Sequence, residues 1–321
     1  MSEIPRTPAA PASATSSRRL QAGARVLELG TRPWLMGIVN ASPDSFSDGG
    51  SHPTPQDQLR LARKLCDAGA DMLDIGGESA TTRRPPVDAE RECERVVPLI
   101  ERAAQELGAI VSVDTYKPEV ARAAIAAGAS IVNDVSGLRD PELARVCAGS
   151  GAALVVMHTR AAPRERMQDP DLYGDIVEEV LSFLRERMQL ALDAGVSREQ
   201  LIVDPGPDFA KTPAQTVDLL ARAERLHELG RPLLMAVSRK DFIGALTGRA
   251  PSERLAGTLA ALAHGLDVGA SIFRVHDVAA ARDYVRVRAA LSGACPPARD
   301  LALREDLRHE GARPGSDCLT R

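Results

Sequence analysis

Eight times along this chain a short apolar run stops at a polar or glycine-rich end and a helical pattern follows. The first run, 35–39, stops at Asn40. The others stop at Gly76, Asp114, Asn133, His158, Asp204, Lys240 and Arg274. Runs this short and this uniformly apolar read as strands buried on both faces, the property of a parallel sheet. The segments between them, at 55–68, 88–107, 118–127, 141–148, 176–194, 216–229, 252–265 and 278–291, read as helices; Leu59, Ala62 and Leu65 line one face of the first. Ser252 stands as the expected N-cap of the helix over 252–265. Eight strand–helix units in roughly 260 residues match a closed (βα)8 TIM barrel, an α/β fold of about 250. A doubly wound sheet needs fewer strands and usually a Gly-rich dinucleotide turn, and the sequence has none.

With 3% aromatic residues, the core of such a barrel has to be built from Ala, Val, Leu and Ile. Residues 1–24 are expected to be a disordered tail, since they are rich in Pro, Ala, Ser and Thr and lack the apolar segment of a signal peptide. The barrel is expected over 25–292, with a short strand or plug at 25–29, and a flexible tail over 293–321. A net charge of −4 offers no basic footprint for nucleic acid. No apolar run approaches the roughly 20 residues of a membrane span. Five scattered cysteines fit free thiols in a reducing cytoplasm, not a disulfide scaffold or a zinc site.

In a barrel the strand ends converge on one rim. There, carboxylates (Asp114, Asp204) and an amide (Asn133) would meet Lys240, Arg274 and His276. Carboxylates in a pocket accept paired N–H donors from a flat heterocycle, and leaving them unpaired is costly. Arg, His and Asn suit phosphate oxygens, and the carbonyl of Asn40 can hold Mg²⁺. Taken singly, each has a plainer reading. Asp114 and Asp204 read equally as helix caps, and His158 equally as a satisfied core histidine. Eight such coincidences at eight strand ends are less economical than one site.

The residues at these ends resemble the dihydropteroate synthase family. The resemblance is carried by MGIVNASPDSFSDGG (36–50), DIGGES (74–79), SVDT (112–115), NDVSG (133–137), Met157-His158, DPG (204–206), SRK (238–240), SER (252–254) and RVHDV (274–278). It implies a pterin-binding barrel. Such a barrel joins 6-hydroxymethyl-7,8-dihydropterin pyrophosphate to p-aminobenzoate with Mg²⁺, releasing pyrophosphate and 7,8-dihydropteroate, in a cytoplasmic homodimer. Matched by position, Asp114, Asn133, Met157, Asp204 and Lys240 look like the pterin pocket. Asn40, Arg274 and His276 look like the pyrophosphate and Mg²⁺ corner, and Phe209 with Lys240 like part of the aminobenzoate site. Asp44, Phe46 and Asp48 lie on a loop that closes over the reacting centre in this family.

Three stretches depart from the family pattern. After Ser79 the family continues Thr-Arg-Pro or Ser-Arg-Pro, whereas this chain reads ATTRRPP (80–86). Asp241 stands where the family usually has Ser. The loop at 207–210, PDFA, is less Gly-rich and is expected to be stiffer. If Asp241 faces the aminobenzoate, two like charges roughly 4 Å apart at an effective dielectric near 20 repel by about 4 kcal/mol. These departures leave a pterin-binding paralogue with little synthase activity as one alternative. A methyltetrahydrofolate-type methyltransferase barrel is the other, opposed by the pyrophosphate corner.

Overall fold

The structure, a computed structural model, describes residues 19–30, 32–41, 54–78 and 86–308. In chain order these form β1 (Arg19–Ala22), β2 (Arg25–Glu28), β3 (Trp34–Asn40), α1 (Pro55–Asp67), β4 (Met72–Gly76), α2 (Ala89–Leu107), β5 (Ile110–Asp114), α3 (Pro118–Ala126), β6 (Ile131–Asp134) and α4 (Pro141–Ser150). Then follow β7 (Ala153–Met157), α5 (Ile176–Asp193), β8 (Leu201–Asp204), α6 (Pro213–Ala221), β9 (Leu234–Met235), α7 (Asp241–Thr247), α8 (Leu255–Asp267), β10 (Ile272–Val275) and α9 (Val278–Leu291).

Strands β3 to β10 run parallel in the order β8-β7-β6-β5-β4-β3-β10-β9, and a parallel bridge from Val203 to Leu233 closes the cylinder. The expected (βα)8 barrel is therefore present. Its register sets the rim: Asn40 pairs with Gly76, Gly76 with Asp114, Asp114 with Asn133, and Met157 with Asp204. Strand ends that are consecutive partners deliver their side chains to one level. Local signals fix the helices between them. Thr54 and Asp57 form a capping box ahead of Pro55 in α1. Asp88 accepts the N–H of Arg91 at the start of α2, and Gly108 ends that helix in the left-handed region.

The opposite mouth is plugged. Strands β1 and β2 form an antiparallel hairpin. Leu20, Ala22, Leu27 and Leu29 pack with Met36, Met72, Ile131, Ala153, Ile202, Leu234 and Ile272 in one buried cluster. Arg231, with no exposed surface, holds the hairpin down by donating to the carbonyls of Leu201 (3.0 Å), Glu199 (3.1 Å) and Arg19 (3.2 Å). Among the described residues, Arg19–Ala22 is already a strand, inside the stretch 1–24 expected to be a tail. The alternation of Leu20 and Ala22 finds a surface at the barrel floor that only the assembled strands create.

Three local departures have physical causes. The helix expected over 216–229 breaks into α6 and a 3-10 helix at Ala223–Leu229. Ala223, Leu226 and Leu229, all buried, recur every third residue, which is the 3-10 period. Ser252 falls within a 3-10 turn, Pro251–Glu253, and α8 starts only at Leu255. Helix α7 was not foreseen; it opens at Lys240 and stops at Gly248 in the left-handed region.

The chain divides into two compact units, 1–282 and 283–321. The strands of the barrel belong to the first. Of the second, 283–308 are described: the end of α9 and a chain with a 3-10 turn at Glu305–Leu307. Among the described residues no helix is long and apolar enough to cross a membrane.

Candidate active site

A cavity of about 630 Å³ opens over the carboxyl ends of the strands. Asn40, Asp114, Asn133, Met157, Asp204, Phe209, Lys240, Arg274 and His276, all singled out from the sequence, line it together. Asp48, with Asp44 and Phe46, lies outside the described residues, as do 80–85 of the second loop.

One wall is a charge network reaching across the barrel. Arg274 of β10 donates from Nε to Asp74 Oδ2 at 2.6 Å and from Nη2 to Asp114 Oδ2 at 2.8 Å. Asn133 Nδ2 donates to the same Asp74 oxygen at 3.1 Å. The sequence grouped Arg274 with the phosphate corner; in the structure its guanidinium is engaged by the acids of β4 and β5. Burial raises the Asp114 carboxyl, against the opposing pull of Arg274. Asp74, fully buried, was read only as a strand residue. An acid inside an apolar strand needs a cation nearby, and the basic residue in the apolar run around Phe273 was the available signal.

The other wall is the turn after β8. Asp204 Oδ1 accepts the N–H of Gly206 at 2.7 Å, and Oδ2 is left to the cavity. Burial pushes this carboxyl up to about 6, with the Gly206 N–H and the Lys240 cation opposing. Gly206 has φ +64, and a Cβ there would stand 2.1 Å from the His158 carbonyl oxygen, so only glycine fits. Lys240 donates to the Pro207 carbonyl at 2.9 Å, with its Nζ 4.4 Å from the centre of the Phe209 ring. Burial lowers the Lys240 ammonium, while Asp208 and Asp204 hold it up.

Between the walls, His276 Nδ1 lies 3.0 Å from Ser238 Oγ, and burial beside Arg274 brings its imidazole down to about 4. It is neutral at pH 7. Asn40 ends β3 with its side chain exposed at the rim. Farther out, Glu78 accepts from Tyr116 Oη (2.9 Å), Lys117 Nζ (2.7 Å), Arg164 Nη1 (2.8 Å) and the Val87 N–H (3.1 Å). The residues that follow β4, β5 and β7 are thereby tied together. His158 does not line the cavity; it is fully buried, with its ring 4.8 Å from Phe183. Asp208 had no sequence signal beyond the unusual loop. Its Oδ2 accepts the Asp241 N–H at 2.6 Å, and Thr216 Oγ1 donates to Oδ1 at 3.1 Å. Asp241 itself is held by Arg254 at 3.0 Å.

A barrel rim that sets buried acids and an amide against Arg274 and Lys240 defines an enzyme for a flat, hydrogen-bonding heterocycle with an anionic arm. The family described as "Pterin binding enzyme" matches residues 36–276. A dihydropteroate synthase of Synechocystis is 41% identical over 274 residues, 85% of this chain and 94% of the relative. The Xanthomonas albilineans dihydropteroate synthase, solved with 4-aminobenzoic acid, is 45% identical with a TM-score of 0.79 over 86% of this chain and 98% of that one. A structure of the X. albilineans enzyme with 7,8-dihydropteroate is also 45% identical, with a TM-score of 0.77 over 85% and 98%. This chain belongs to the dihydropteroate synthase family.

Proposed function

We propose that this protein condenses 6-hydroxymethyl-7,8-dihydropterin pyrophosphate with p-aminobenzoate, forming 7,8-dihydropteroate and releasing pyrophosphate. The observation that carries the reading is the pairing within one cavity of buried hydrogen-bond acceptors (Asp204, Asp114, Asn133) with cations (Lys240, Arg274). The ring's N–H donors fall to Asp204 Oδ2 and to Asn133 and Asp114 at the facing wall. Met157, nearly fully buried, supplies an apolar contact beneath the ring. Phe209, with Lys240 over its face, borders the phenyl ring of the second substrate.

The reaction breaks the bond between the pterin methylene carbon and oxygen and makes one to the aniline nitrogen. Positive charge grows on carbon and negative charge on the leaving diphosphate. Arg274 and the neutral N–H of His276 serve the second; preorganised charge of this kind is usually the largest catalytic contribution. The aniline nitrogen is neutral at pH 7 and needs no strong base. The proton lost after attack passes to solvent or to the departing diphosphate.

The donor set also fits Mg²⁺. Among the described residues no cluster of three or more His, Cys, Asp or Glu stands ready as a metal cage. Asn40 offers one hard oxygen at the rim, and Mg²⁺ characteristically takes its remaining ligands from substrate phosphates and water. When bound, the ion neutralises diphosphate charge. A cytoplasmic location and a homodimeric assembly belong to the same proposal.

Incubating the protein with the pterin pyrophosphate, Mg²⁺ and p-aminobenzoate tests it, with dihydropteroate as the expected product. Pterin binding without product would favour a non-synthase paralogue. Asp241 bears on the same question. Its carboxylate lines the cavity but is ion-paired to Arg254 and well exposed, so its repulsion of the aminobenzoate is mostly screened. Asp241→Ser is accordingly expected to lower the KM for p-aminobenzoate by no more than about threefold, less than 1 kcal/mol. A tenfold gain in steady-state kinetics would mean that the charge acts on the substrate undiminished.

A further inference from the structure

We propose that Lys211, which does not line the cavity, is a positioning residue for the aminobenzoate end of the site: its buried ammonium fixes the turn that carries Phe209. This inference rests on the proposed function.

Lys211 has no exposed surface, and its Nζ is surrounded by acceptors. It lies 2.8 Å from His158 Nδ1, 2.9 Å from the Gly206 carbonyl oxygen and 2.9 Å from the Phe209 carbonyl oxygen, with the His158 carbonyl oxygen farther off at 3.4 Å. An ammonium has three donors, and here each has a near acceptor. His158 must then accept at Nδ1 and carry its proton on Nε2, an atom that is buried without a hydrogen-bond partner. Burial drives this imidazole well below its ordinary range, with the Lys211 cation adding to the effect, so it stays neutral. A buried cation beside a neutral imidazole is costly, and burial brings the Lys211 ammonium itself down to about 7.

The arrangement has a clear beneficiary. Between Gly206 and Lys211 the backbone takes the left-handed region at two non-glycine residues, Asp208 (φ 66°) and Ala210 (φ 51°). Such conformations persist only when the surroundings over-determine them. Lys211 joins the carbonyls on either side of Asp208, one at the start of the turn and one on Phe209 itself. The Lys240 bond to Pro207, the Tyr173 hydroxyl bond to the Ala210 carbonyl (2.8 Å) and the Thr216 contacts of Asp208 add to the bracing.

Asp204 is tied to Lys211 only indirectly, through the charge of the ammonium and the Gly206 carbonyl, and its position is set by the sheet. It is the last residue of β8, in register with Met157, and its carbonyl accepts the His158 N–H at 2.9 Å. Its carboxylate is set by the Gly206 N–H. The two ends of the turn therefore differ: the pterin acceptor is held by the sheet, Phe209 by the buried amine.

This asymmetry makes the inference testable. In Lys211→Met the KM for p-aminobenzoate should rise about tenfold, while the Kd for the pterin pyrophosphate, measured calorimetrically without the second substrate, stays within about threefold. Lys211→Gln keeps two donors and should fall between, with a two- to fivefold rise in that KM. An aminobenzoate KM unchanged in folded Lys211→Met would overturn the proposal. So would a Kd and KM that rise in parallel, as general loosening would produce, or a Gln variant no better than Met. If Lys211→Met does not fold, the Gln variant decides: no rise in KM, or a parallel rise in Kd, overturns it. Wild-type protein that makes no dihydropteroate defeats the functional reading, and this inference with it. Wild-type turnover beside unaltered variants defeats the inference alone.

Discussion

Asp204→Ala should raise the Kd for the pterin pyrophosphate at least 100-fold while leaving the melting temperature within a few degrees of wild type. One oxygen of the carboxylate is held by the Gly206 N–H and the other has no protein donor, whereas Asp74 and Asp114 each give an oxygen to Arg274. Each hydrogen bond from a ring N–H to a charged acceptor contributes roughly 1.5–3 kcal/mol, so losing two costs roughly 3–6 kcal/mol, or two to four decades in affinity. The folded state loses the acceptor for the Gly206 N–H and a counter-charge to Lys211 and Lys240, and is relieved of the cost of burying the carboxylate itself. pH supplies a second readout. Burial lifts this carboxyl to about 6, so it is ionised at pH 7 and takes up a proton as pH falls toward 5. Wild-type affinity should therefore decline on acidification, by about tenfold per unit once below that range, and the variant should lose this component. Calorimetric titration at pH 7.5 and 5 measures both. Equal affinity in the two proteins at pH 7.5 would remove Asp204 from the ring site.

How legible this architecture was depends on whether a residue's partner lies nearby in sequence or across the barrel. The strand ends could be read because burial on both faces leaves an apolar run, and the first polar residue after it marks the rim. Asn40, Asp114, Asn133 and Asp204 all announce themselves this way. Asp74 does not, because it sits inside its strand; its meaning comes from Arg274, 200 residues later, which reaches it through closure of the cylinder. Lys211 is invisible for a related reason. A lysine between Ala210 and Thr212 looks like a solvated loop charge, and only the packing of the turn onto His158 buries it. Of the hairpin, the strand at 25–28 was expected, but its partner, Arg19–Ala22, was missed because two apolar residues cannot define a strand without the floor they cover. In the other direction, the sequence made Asp241 look like a plain charge conflict, and the fold supplies Arg254 as its counter-ion.

The same long-range logic gives the largest combined effect on stability and rate, expected for Arg274→Ala. The guanidinium is one cation between two acids, Asp74 at 0% and Asp114 at 21% side-chain exposure. Removing one partner of a buried ion pair typically costs about 3–5 kcal/mol, because the remaining charges stay desolvated. A fall in melting temperature of roughly 5–15 °C should follow. Catalysis should suffer separately. If the arginine also stabilises the leaving diphosphate, its loss should lower kcat by about 10²–10³, the scale of a single preorganised donor. A second substitution separates the two roles. Adding Asp74→Asn to Arg274→Ala removes one uncompensated acid and keeps an acceptor for Asn133, so much of the lost stability should return. The diphosphate gains nothing from that change, and kcat should stay low. Thermal unfolding and single-turnover kinetics on the two variants give the comparison. If kcat recovers together with the melting temperature, Arg274 serves only to neutralise the acids of β4 and β5, and the role at the diphosphate passes to His276.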